Sequence, residues 1–412
     1  MSLKGRLRIL VISNLYPPAV TGGYELECSG VVEHLRQRHE VLVLTSTRGG
    51  GQPEEGVARV LPPVPPGSRL RSLRAPLDAV RAARATRRVL SEFRPELVYV
   101  WNGAQIPQAA IRVAETSGVP VAYRICEHWF GHMYRSDRFM RHLYGDDHGV
   151  RAAWAALVRL VNRLPQLRLD PGRPVDAAVC WNAEAVRRLS PAPPSARVVL
   201  ERIVYPATSQ GEEMVDLRRS PAAAPTVACV GRVTPEKGTD VAYRAIAELR
   251  DRHGIEARLV VAGAGDDDFR ERLRRLADEL SIAHLVDDRG QLAWPAVKAL
   301  LAEAHVTVVP SVWEEPAGLV CVEAALARVP VVASRVGGIP ELLHDAEHAL
   351  LCPPGDAPAL ADALARTLSE PDETAGRCER AFARAQDLRY GPYLAHMDAF
   401  LDDAVDALGA AR

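Results

Sequence analysis

The feature that most constrains this chain is a repeated alternation of short apolar runs with longer segments of helical character. The runs are rich in β-branched residues, as in RILVIS at 8–13 and EVLVLT at 40–45, and segments rich in Ala, Leu and Arg follow them. Such alternation is typical of βαβ units, whose strands join in parallel sheets. The sequence therefore predicts an α/β fold.

The predicted strands fall into two groups. The first group comprises residues 8–13, 40–45, 97–101, 121–125 and 177–181. Residues 205–225 then lose periodicity and collect Pro, Ser and charge, as an interdomain linker does. The second group comprises residues 226–231, 257–263, 305–311 and 329–334. Each group predicts one parallel sheet.

Chain length agrees with two domains, because 412 residues exceed the usual size of one hydrophobic core. We predict an N-terminal Rossmann-like domain at 1–208, a linker at 209–225 and a C-terminal Rossmann-like domain at 226–388. Residues 389–412 are amphipathic, and we predict a helix there that packs back on the first domain.

Composition excludes several classes of protein. Lys and Arg together number 51 against 52 for Asp and Glu, so no net field draws the chain to nucleic acid. The seven cysteines are scattered and form neither a Cys-x-x-Cys pair nor a zinc-like cluster, which favours reduced thiols and a cytoplasmic location. The N-terminal run ILVIS is too short for a signal peptide, and no run approaches the roughly 18 apolar residues of a membrane span.

Two glycines follow the first predicted strand in YPPAVTGGYE. Ligands of open parallel sheets bind beyond the carboxyl ends of the strands, where helices begin. Gly22 and Gly23 would let the backbone approach an anion there. The alternative is an ordinary glycine turn, since neither a G-x-G-x-x-G fingerprint nor a Walker lysine is present.

A second motif, GRVTPEKGTD, follows the strand TVACV directly. Arg232 and Lys237 lie on the predicted loop, and Thr239 or Asp240 can cap the next helix. A guanidinium and an ammonium at one strand end suit a pyrophosphate. The alternative is a pair of solvated surface charges.

Residues 315–323, EPAGLVCVE, place two glutamates beside predicted core. Pro310 and Pro316 predict a loop that contains Glu315, and the next helix carries Glu323 inward on its second turn. Their spacing favours positions along an extended ligand over an acid and nucleophile flanking one bond.

Hydroxyl-bearing groups would satisfy both carboxylates, with a sugar at one end of the ligand and a ribose at the other. The backbone N–H groups of Gly318, Leu319 and Val320, at the start of the helix, would face a phosphate between them.

Five segments, in this order and spacing, carry a resemblance to a known family. The chain resembles the retaining nucleotide-sugar glycosyltransferases of GT-B fold, glycosyltransferase family four. The resemblance covers nearly the whole chain, is strong from 226 to 356 and weak from 50 to 175. It rests on GGYE, GRVTPEKGTD, VVAGAGD, PSVWEEPAGLVCVEA with its E-x7-E element, and VPVVASRVGGIPE.

The resemblance implies two Rossmann-like domains that face each other across a cleft, and roles for particular residues. Arg232 and Lys237 match the cations that hold the donor pyrophosphate and stabilise the departing nucleoside diphosphate. Glu315 matches the glutamate that contacts the transferred sugar, and Glu323 the one that binds the ribose.

The resemblance also implies that Gly22 and Gly23 face the phosphates and sugar. Gly263 and the backbone of Gln291 and Leu292 fall where the family cradles the base, with a loose match. Such enzymes usually need no bound metal or other cofactor beyond the donor, whose nucleoside diphosphate would be UDP, GDP or dTDP. No Asp-x-Asp cluster appears at the matching positions.

One segment departs from the family pattern. The family often has a His-Asp-x-Trp segment after the fourth strand, whereas this chain has RICEHWF. If Trp129 is the anchor, Cys126 stands in place of the histidine and Glu127 in place of the aspartate. His128 is then out of register, and it is a candidate beside Glu127 for reaching the anomeric centre. A generic loop histidine is the alternative.

The resemblance implies an acceptor with a hydroxyl group, which would be a glycolipid, a glycan or a small molecule. Residues 69–94 hold eight arginines against two acids, and with residues 153–169 they would form a basic amphipathic surface for anionic lipid at the inner membrane face. Solvated helix faces are the alternative. Two other functions share the fold, a sugar-nucleotide epimerase and a non-catalytic nucleotide-sugar binding module.

Overall fold

The structure is a computed structural model, and it comprises two compact units. It describes residues 5–20, 22–48, 54–64, 74–137, 139–144, 150–163, 169, 174–193, 195–207 and 209–410. One unit contains Met1–Asn182, Val186–Val204 and Leu394–Arg412, and the other contains Ala183–Ala185 and Tyr205–Tyr393.

The first unit is built on a parallel sheet. Its strands are β1 (Arg8–Ser13), β2 (Glu40–Ser46), β3 (Val57–Leu61), β4 (Leu97–Asn102), β5 (Val121–Ile125), β6 (Val175–Trp181) and β7 (Ala196–Ile203). Its helices are α1 (Gly23–Arg36), α2 (Ala75–Phe93), α3 (Ala109–Glu115), α4 (Met133–Ser136), α5 (Arg141–Tyr144), α6 (Val150–Val161) and most of α7 (Glu184–Leu189). Among the described residues the strand order is β3-β2-β1-β4-β5-β6-β7.

The second unit has a parallel sheet of the same kind. Its helices are α8 (Ser209–Glu212), α9 (Thr239–His253), α10 (Asp267–Glu279), α11 (Trp294–Glu303), α12 (Leu319–Leu326), α13 (Ile339–Leu342), α14 (Ala357–Ser369) and α15 (Pro371–Gln386). Its strands are β8 (Thr226–Val230), β9 (Arg258–Ala262), β10 (Val286–Asp288), β11 (Val306–Val309), β12 (Val331–Ser334) and β13 (Leu350–Cys352). In the described part of the unit the order is β10-β9-β8-β11-β12-β13.

The last helix is α16 (Tyr390–Ala410), and from Leu394 onward it belongs to the first unit. There the carboxylate of Asp398 lies 2.9 Å from Nε2 of His34 and also pairs with Arg38, both on the last part of α1 and its exit. The side chain of Phe400, fully buried, packs near Tyr99 of β4.

The prediction of an α/β fold with two parallel sheets is confirmed. The apolar runs formed strands because the central strands are buried on both faces: Val11, Val100 and Val260, for example, have no exposed surface. Sequence reasoning missed β3, β7, β10 and β13, and all four are edge strands of their sheets. Edge strands are short or half solvated, so they lack the continuous apolar run on which the prediction depended.

Candidate active site

The carboxyl ends of β8 and β11 bring two of the predicted residues together. Lys237 ends a turn of 3₁₀ helix (Pro235–Lys237) after β8, and Glu315 lies in the loop after β11. The ammonium Nζ of Lys237 is 2.6 Å from Oε2 of Glu315. The two strands are neighbours in the sheet, so residues 78 positions apart in sequence meet at one edge.

Glu315 is nearly buried, with 7% of its surface exposed. Its Oε2 also accepts hydrogen bonds from the Ser311 hydroxyl at 3.0 Å and from the Trp313 indole N–H at 3.1 Å. Among the described residues no donor reaches Oε1. Sequence reasoning missed both Ser311 and Trp313. The signal was present in PSVWEEP, where a hydroxyl and an indole precede the glutamate within four positions.

A pair of glycines after β12 holds the backbone of Glu315. The N–H of Gly338 donates to the Glu315 carbonyl at 2.8 Å. Gly337 has a φ of 53°, and a Cβ there would lie 2.0 Å from the same carbonyl oxygen. Since no side chain can occupy that space, this approach of two loops requires glycine.

Arg232 lies apart from this pair. It follows β8, and its ion-pair partner among the described residues is Glu236, at 3.4 Å, with both side chains more than a third exposed. The pKa of Glu236 is lowered: burial opposes the shift, but hydrogen bonds from its own N–H and from Thr234, with the charges of Arg232 and Lys237, outweigh it. Glu236 is therefore held as a carboxylate, and its negative charge partly offsets the two cations of this loop.

Helix α12 begins beside Glu315. Gly318, with a φ of 78°, is its N-cap, and Leu319 and Val320 form its first turn. The first N–H groups of a helix have no partner within the helix, and the dipole there favours an anion. The predicted phosphate-facing residues thus lie directly after the predicted sugar-facing one.

Glu323 lies on the second turn of α12, as the sequence indicated. Its side chain lines a small groove within the second unit, with Leu319, Val322, Leu326, Ala207, Gly211, Leu388, Arg389 and Tyr390. Burial raises the pKa of its carboxyl to about 7. Arg389 does not neutralise it, because its guanidinium Nε donates to Glu212 at 2.9 Å. In the described part of the chain no hydrogen bond reaches the Glu323 carboxylate.

The predicted base-binding segments meet at the ends of β9 and β10. The N–H of Gly263 donates to the Gly290 carbonyl at 2.8 Å. Gly263 has a φ of 155°, and a Cβ there would lie 1.7 Å from the Gly231 carbonyl oxygen, so glycine is required. Leu292 packs partly buried against the core of the unit. Gly263, Gly290 and Gly231 thus bring three strand-end loops together.

In the first unit, the predicted glycines begin α1. Gly22 is the N-cap and donates its N–H to the Glu25 carboxylate at 2.9 Å, and Gly23 is the first helical residue. The Tyr24 hydroxyl contacts the carbonyls of Trp101 and Arg124, the latter at 2.8 Å, near the carboxyl ends of β4 and β5.

The RICEHWF segment continues from β5, beside the start of α1. Cys126 is buried, and that burial, with the nearby charge of Glu27, raises the pKa of its thiol well above the ordinary value. It is therefore a poor nucleophile. Glu127 is exposed and His128 half-buried, both just beyond the strand end. Trp129 is buried against Phe130, with ring centroids 5.7 Å apart.

Beneath these residues lies a buried ion pair that the sequence did not reveal. The Arg124 guanidinium is 2.7 Å from Glu27, and the two side chains are 0% and 3% exposed. Arg124 also donates to the carbonyl of Val204 at 2.7 Å. Its cost of burial is offset by these bonds, which tie α1, β5 and the chain leaving β7 together.

One cluster of possible metal ligands is present among the described residues: His344, Glu347 and His348, within 4.8 Å of one another. Nδ1 of His348 accepts the backbone N–H of His344 at 3.0 Å. The neutral ring then carries its proton on Nε2, which faces Glu347 at 3.7 Å. That tautomer does not offer Nε2 to a metal.

Two family descriptions match the chain in succession. "Glycosyltransferase Family 4" matches residues 21–167, and "Glycosyl transferases group 1" matches residues 214–384.

Relatives with similar sequences are also glycosyltransferases. The GDP-mannose-dependent alpha-(1-6)-phosphatidylinositol monomannoside mannosyltransferase of Mycolicibacterium smegmatis is 28% identical over 385 residues, 89% of this chain and 91% of that protein. An uncharacterized glycosyltransferase of Methanocaldococcus jannaschii is 35% identical over 162 residues. That match spans 39% of this chain and 40% of the relative, so the chain covers about two fifths of that relative's length.

Among solved structures, that of Anabaena HepE in complex with UDP and glucose superposes with a TM-score of 0.68 at 20% identity. It covers 97% of this chain and 100% of that one. At this identity the likeness concerns the fold. Together with the parallel sheets, it defines the fold as GT-B. The family descriptions and the relatives define the class of protein as a glycosyltransferase. The two family matches and the relatives support a GT-B glycosyltransferase of family four, as the resemblance predicted.

Proposed function

We propose that this chain transfers a sugar from a nucleoside-diphosphate sugar to an acceptor hydroxyl, with retention of anomeric configuration and without a bound metal. The observation that carries the proposal is the Lys237–Glu315 pair, 2.6 Å apart at the start of α12. It combines a cation and helix N–H groups for a diphosphate with a carboxylate oxygen for a sugar hydroxyl. An epimerase or a pure binding module is not favoured, since the relatives are glycosyltransferases.

Each predicted site residue of the second unit then has a role. Lys237 and Arg232 stabilise the charge that grows on the departing diphosphate, and the N–H groups of Leu319 and Val320, after Gly318, bind its phosphates. Cations and a helix dipole thereby supply the charge stabilisation that a metal supplies elsewhere.

The remaining contacts of the donor follow from the same orientation. The Oε1 atom of Glu315 accepts a hydroxyl of the transferred sugar, and Glu323 accepts the ribose hydroxyls. Gly263 and Leu292 border the base.

We assign Gly22 and Gly23 in the first unit to the phosphates and sugar. Glu127 and His128 are our candidates for the anomeric centre, because they follow β5 directly. In retaining enzymes without a protein nucleophile, the acceptor attacks the face from which the diphosphate leaves. A diphosphate oxygen then takes the acceptor proton, so none of these side chains has to form a covalent bond.

The donor is tested first with UDP-, GDP-, dTDP- and ADP-sugars in a thermal-shift panel. A ligand at 100 times its dissociation constant stabilises a protein by about 2.7 kcal/mol. The mannosyltransferase relative is GDP-mannose-dependent and the HepE structure contains UDP, so both bases have support. Release of nucleoside diphosphate from the selected sugar then measures turnover; its complete absence with every donor would contradict transfer.

The Lys237→Ala variant tests the leaving-group role. Loss of one preorganised charge-stabilising donor lowers turnover by roughly 100-fold or more, while affinity for the free nucleoside changes little. Lys298→Ala is the matched control, because Lys298 pairs with Glu213 at 2.8 Å on the surface of the same unit. Unchanged turnover of Lys237→Ala at saturating donor would contradict the assignment.

For the acceptor we propose a lipid-linked hydroxyl reached by peripheral membrane contact on the cytoplasmic side. The support is the phosphatidylinositol monomannoside named for one relative, and the exposed Leu157 and Leu160 on α6, 46% and 59% exposed. Of the two basic segments predicted, residues 69–73 and 164–168 lie outside the described residues. No described helix has the length and apolar character needed to span a bilayer.

Vesicle flotation tests this contact. We expect binding to vesicles that contain anionic lipid, and a clear decrease for the double variant Leu157→Ser/Leu160→Ser. Absence of flotation with both neutral and anionic vesicles would favour a water-soluble acceptor instead.

A further inference from the structure

The carboxylate of Glu315 is held asymmetrically. Its Oε2 accepts from three groups, Lys237, Ser311 and Trp313, at 2.6, 3.0 and 3.1 Å. Three donors saturate one carboxylate oxygen and fix the plane of the group, so its rotation is restricted. The lone pairs of Oε1 then point in fixed directions within the plane of the carboxylate.

Trp313 contacts both members of the ion pair. Its indole N–H donates to Glu315, and its ring faces the ammonium of Lys237, with Nζ 5.5 Å from the ring centroid. A cation over an indole face is attracted by the ring quadrupole. Trp313 is thus placed to set the position of the carboxylate and of the cation together.

The surrounding backbone cannot do this alone. Gly338 and Gly337 hold the main chain of Glu315, but a glutamate side chain retains three rotatable bonds beyond that point. Ser311 is fully buried and precedes Glu315 by four positions, so its hydroxyl is a fixed donor. The side-chain donors therefore decide where Oε1 points.

We propose that Trp313, assisted by Ser311, is a positioning residue that orients Glu315 so that Oε1 alone is offered to the transferred sugar, and thereby sets selectivity among sugar epimers. This inference rests on the proposed function, in which Glu315 reads a sugar hydroxyl. It concerns the hydrogen bonds to Glu315 and the sugar half of the donor. Loss of the indole N–H with the aromatic ring kept beside Lys237 predicts no effect on the nucleotide half.

The test uses Trp313→Phe, which keeps an aromatic ring under Lys237 and removes the indole donor. Ser311→Ala removes the hydroxyl, and the double variant removes both. One hydrogen bond contributes a modest factor, so we expect roughly three- to tenfold lower kcat for each single variant with the nucleotide sugar selected by the panel. Affinity for the matching nucleoside diphosphate stays within about twofold of wild type.

Selectivity is the decisive measurement. We expect the ratio of kcat/KM for the preferred sugar and its epimers to fall in both single variants. Because both donors act on the same oxygen, their effects in the double variant should not add. Trp181→Phe is the control: Trp181 is buried in β6, and its indole N–H has no hydrogen-bond partner among the described residues.

Two outcomes would overturn the inference while leaving the proposed function intact. One is wild-type selectivity and kcat in Trp313→Phe and Ser311→Ala while Glu315→Ala abolishes turnover. The other is an equal loss of nucleoside diphosphate affinity and kcat, which would indicate a structural role. If Glu315→Ala itself retains wild-type kinetics, both the inference and the proposed function fail.

The contact itself is tested without turnover. Protein labelled with ¹⁵N-tryptophan gives up to six indole signals, of which Trp313→Phe identifies one. We expect Glu315→Gln to shift that signal upfield, because an amide oxygen is a weaker acceptor than a carboxylate. An unmoved signal would contradict the proposed contact.

Discussion

At the residue scale, the two glutamates of the 315–323 segment lie in different surroundings. Glu315 is paired with a lysine and two neutral donors. Glu323 lies in a groove of mostly apolar side chains, where burial raises its carboxyl pKa to about 7. Glu315 is therefore preorganised as a charged hydrogen-bond acceptor, whereas the anionic form of Glu323 requires a hydrogen-bond donor to stabilise it.

Alanine substitutions should separate their roles by ligand. Loss of one partner of a charge-assisted hydrogen bond costs about 1.5 to 3 kcal/mol, or roughly 10- to 150-fold. We expect Glu323→Ala to weaken both the donor and the free nucleoside diphosphate by that factor. Glu315→Ala should leave nucleoside diphosphate affinity nearly unchanged while turnover falls. Glutamine should be milder than alanine at either site, because it keeps an acceptor oxygen.

Calorimetric titration with the nucleoside diphosphate alone decides between the two. If Glu315→Ala loses nucleotide affinity and Glu323→Ala keeps it, the donor lies in the opposite direction along α12.

The raised pKa of Glu323 predicts a dependence of stability on pH. Its folded-state pKa, about 7, exceeds the ordinary value of 4.5, so the folded state prefers the protonated form. Burial of the protonated Glu323 carboxyl makes its full contribution to the free energy of unfolding below about pH 4.5. This contribution declines as pH rises from 4.5 and is lost as pH passes through 7. Glu323→Gln should therefore differ from wild type by less than about 1 kcal/mol near pH 5 and be more stable at pH 8, by at most about 3.5 kcal/mol.

Urea unfolding at the two pH values measures this difference, with Glu303→Gln as the control at an exposed position of the same unit. A gain for Glu323→Gln that is equal at pH 5 and pH 8 would show that the carboxyl is not desolvated.

At the element scale, the site depends on loops that approach one another at glycines. Gly337 and Gly355 both have positive φ, 53° and 76°. A Cβ at Gly337 would collide with the Glu315 backbone, whereas at Gly355 nothing lies within 4 Å. Gly355→Ala therefore costs the conformational penalty alone, about 1 kcal/mol.

Gly337→Ala should lower the free energy of unfolding by about 2 kcal/mol or more beyond the loss at Gly355→Ala. Its turnover should also fall by more than this loss of stability explains, because the clash displaces Glu315. Chemical denaturation and kcat of the two variants measure the difference. Equal free energies of unfolding and equal kcat for both variants would mean that the loop after β12 adjusts without cost and does not hold Glu315 in place.

At the scale of the whole molecule, the proposed donor residues belong almost entirely to the second unit. We expect the selected nucleoside diphosphate to protect backbone amides there from hydrogen exchange, chiefly in residues 231–238 and 311–323. The nucleoside without phosphates is the control and should protect less at the start of α12. Protection confined to the first unit would contradict the assignment of the two units.

Much of this architecture is determined by local pattern. Short continuous β-branched runs that alternate with helical segments favour central strands of parallel sheets, so the fold class and the inner strands were predictable. The edge strands were not, because β10 reads VDD and every residue of β7 is at least partly exposed. The positions of Gly318 and Glu323 on α12 were also predictable, since helix start signals and the helical period are local.

Tertiary structure decided the contacts between distant segments. Lys237 and Glu315 appeared in the sequence as separate motifs, and only the adjacency of β8 and β11 makes them a pair. The positions of the donors Ser311 and Trp313 and of the glycines that hold the Glu315 backbone depend likewise on which loops meet. So does the desolvation of Glu323 by α8 and by the turn between α15 and α16. The sequence specifies which side chains are available. The order of the strands in the sheet sets the distances between them, because it decides which loops are adjacent.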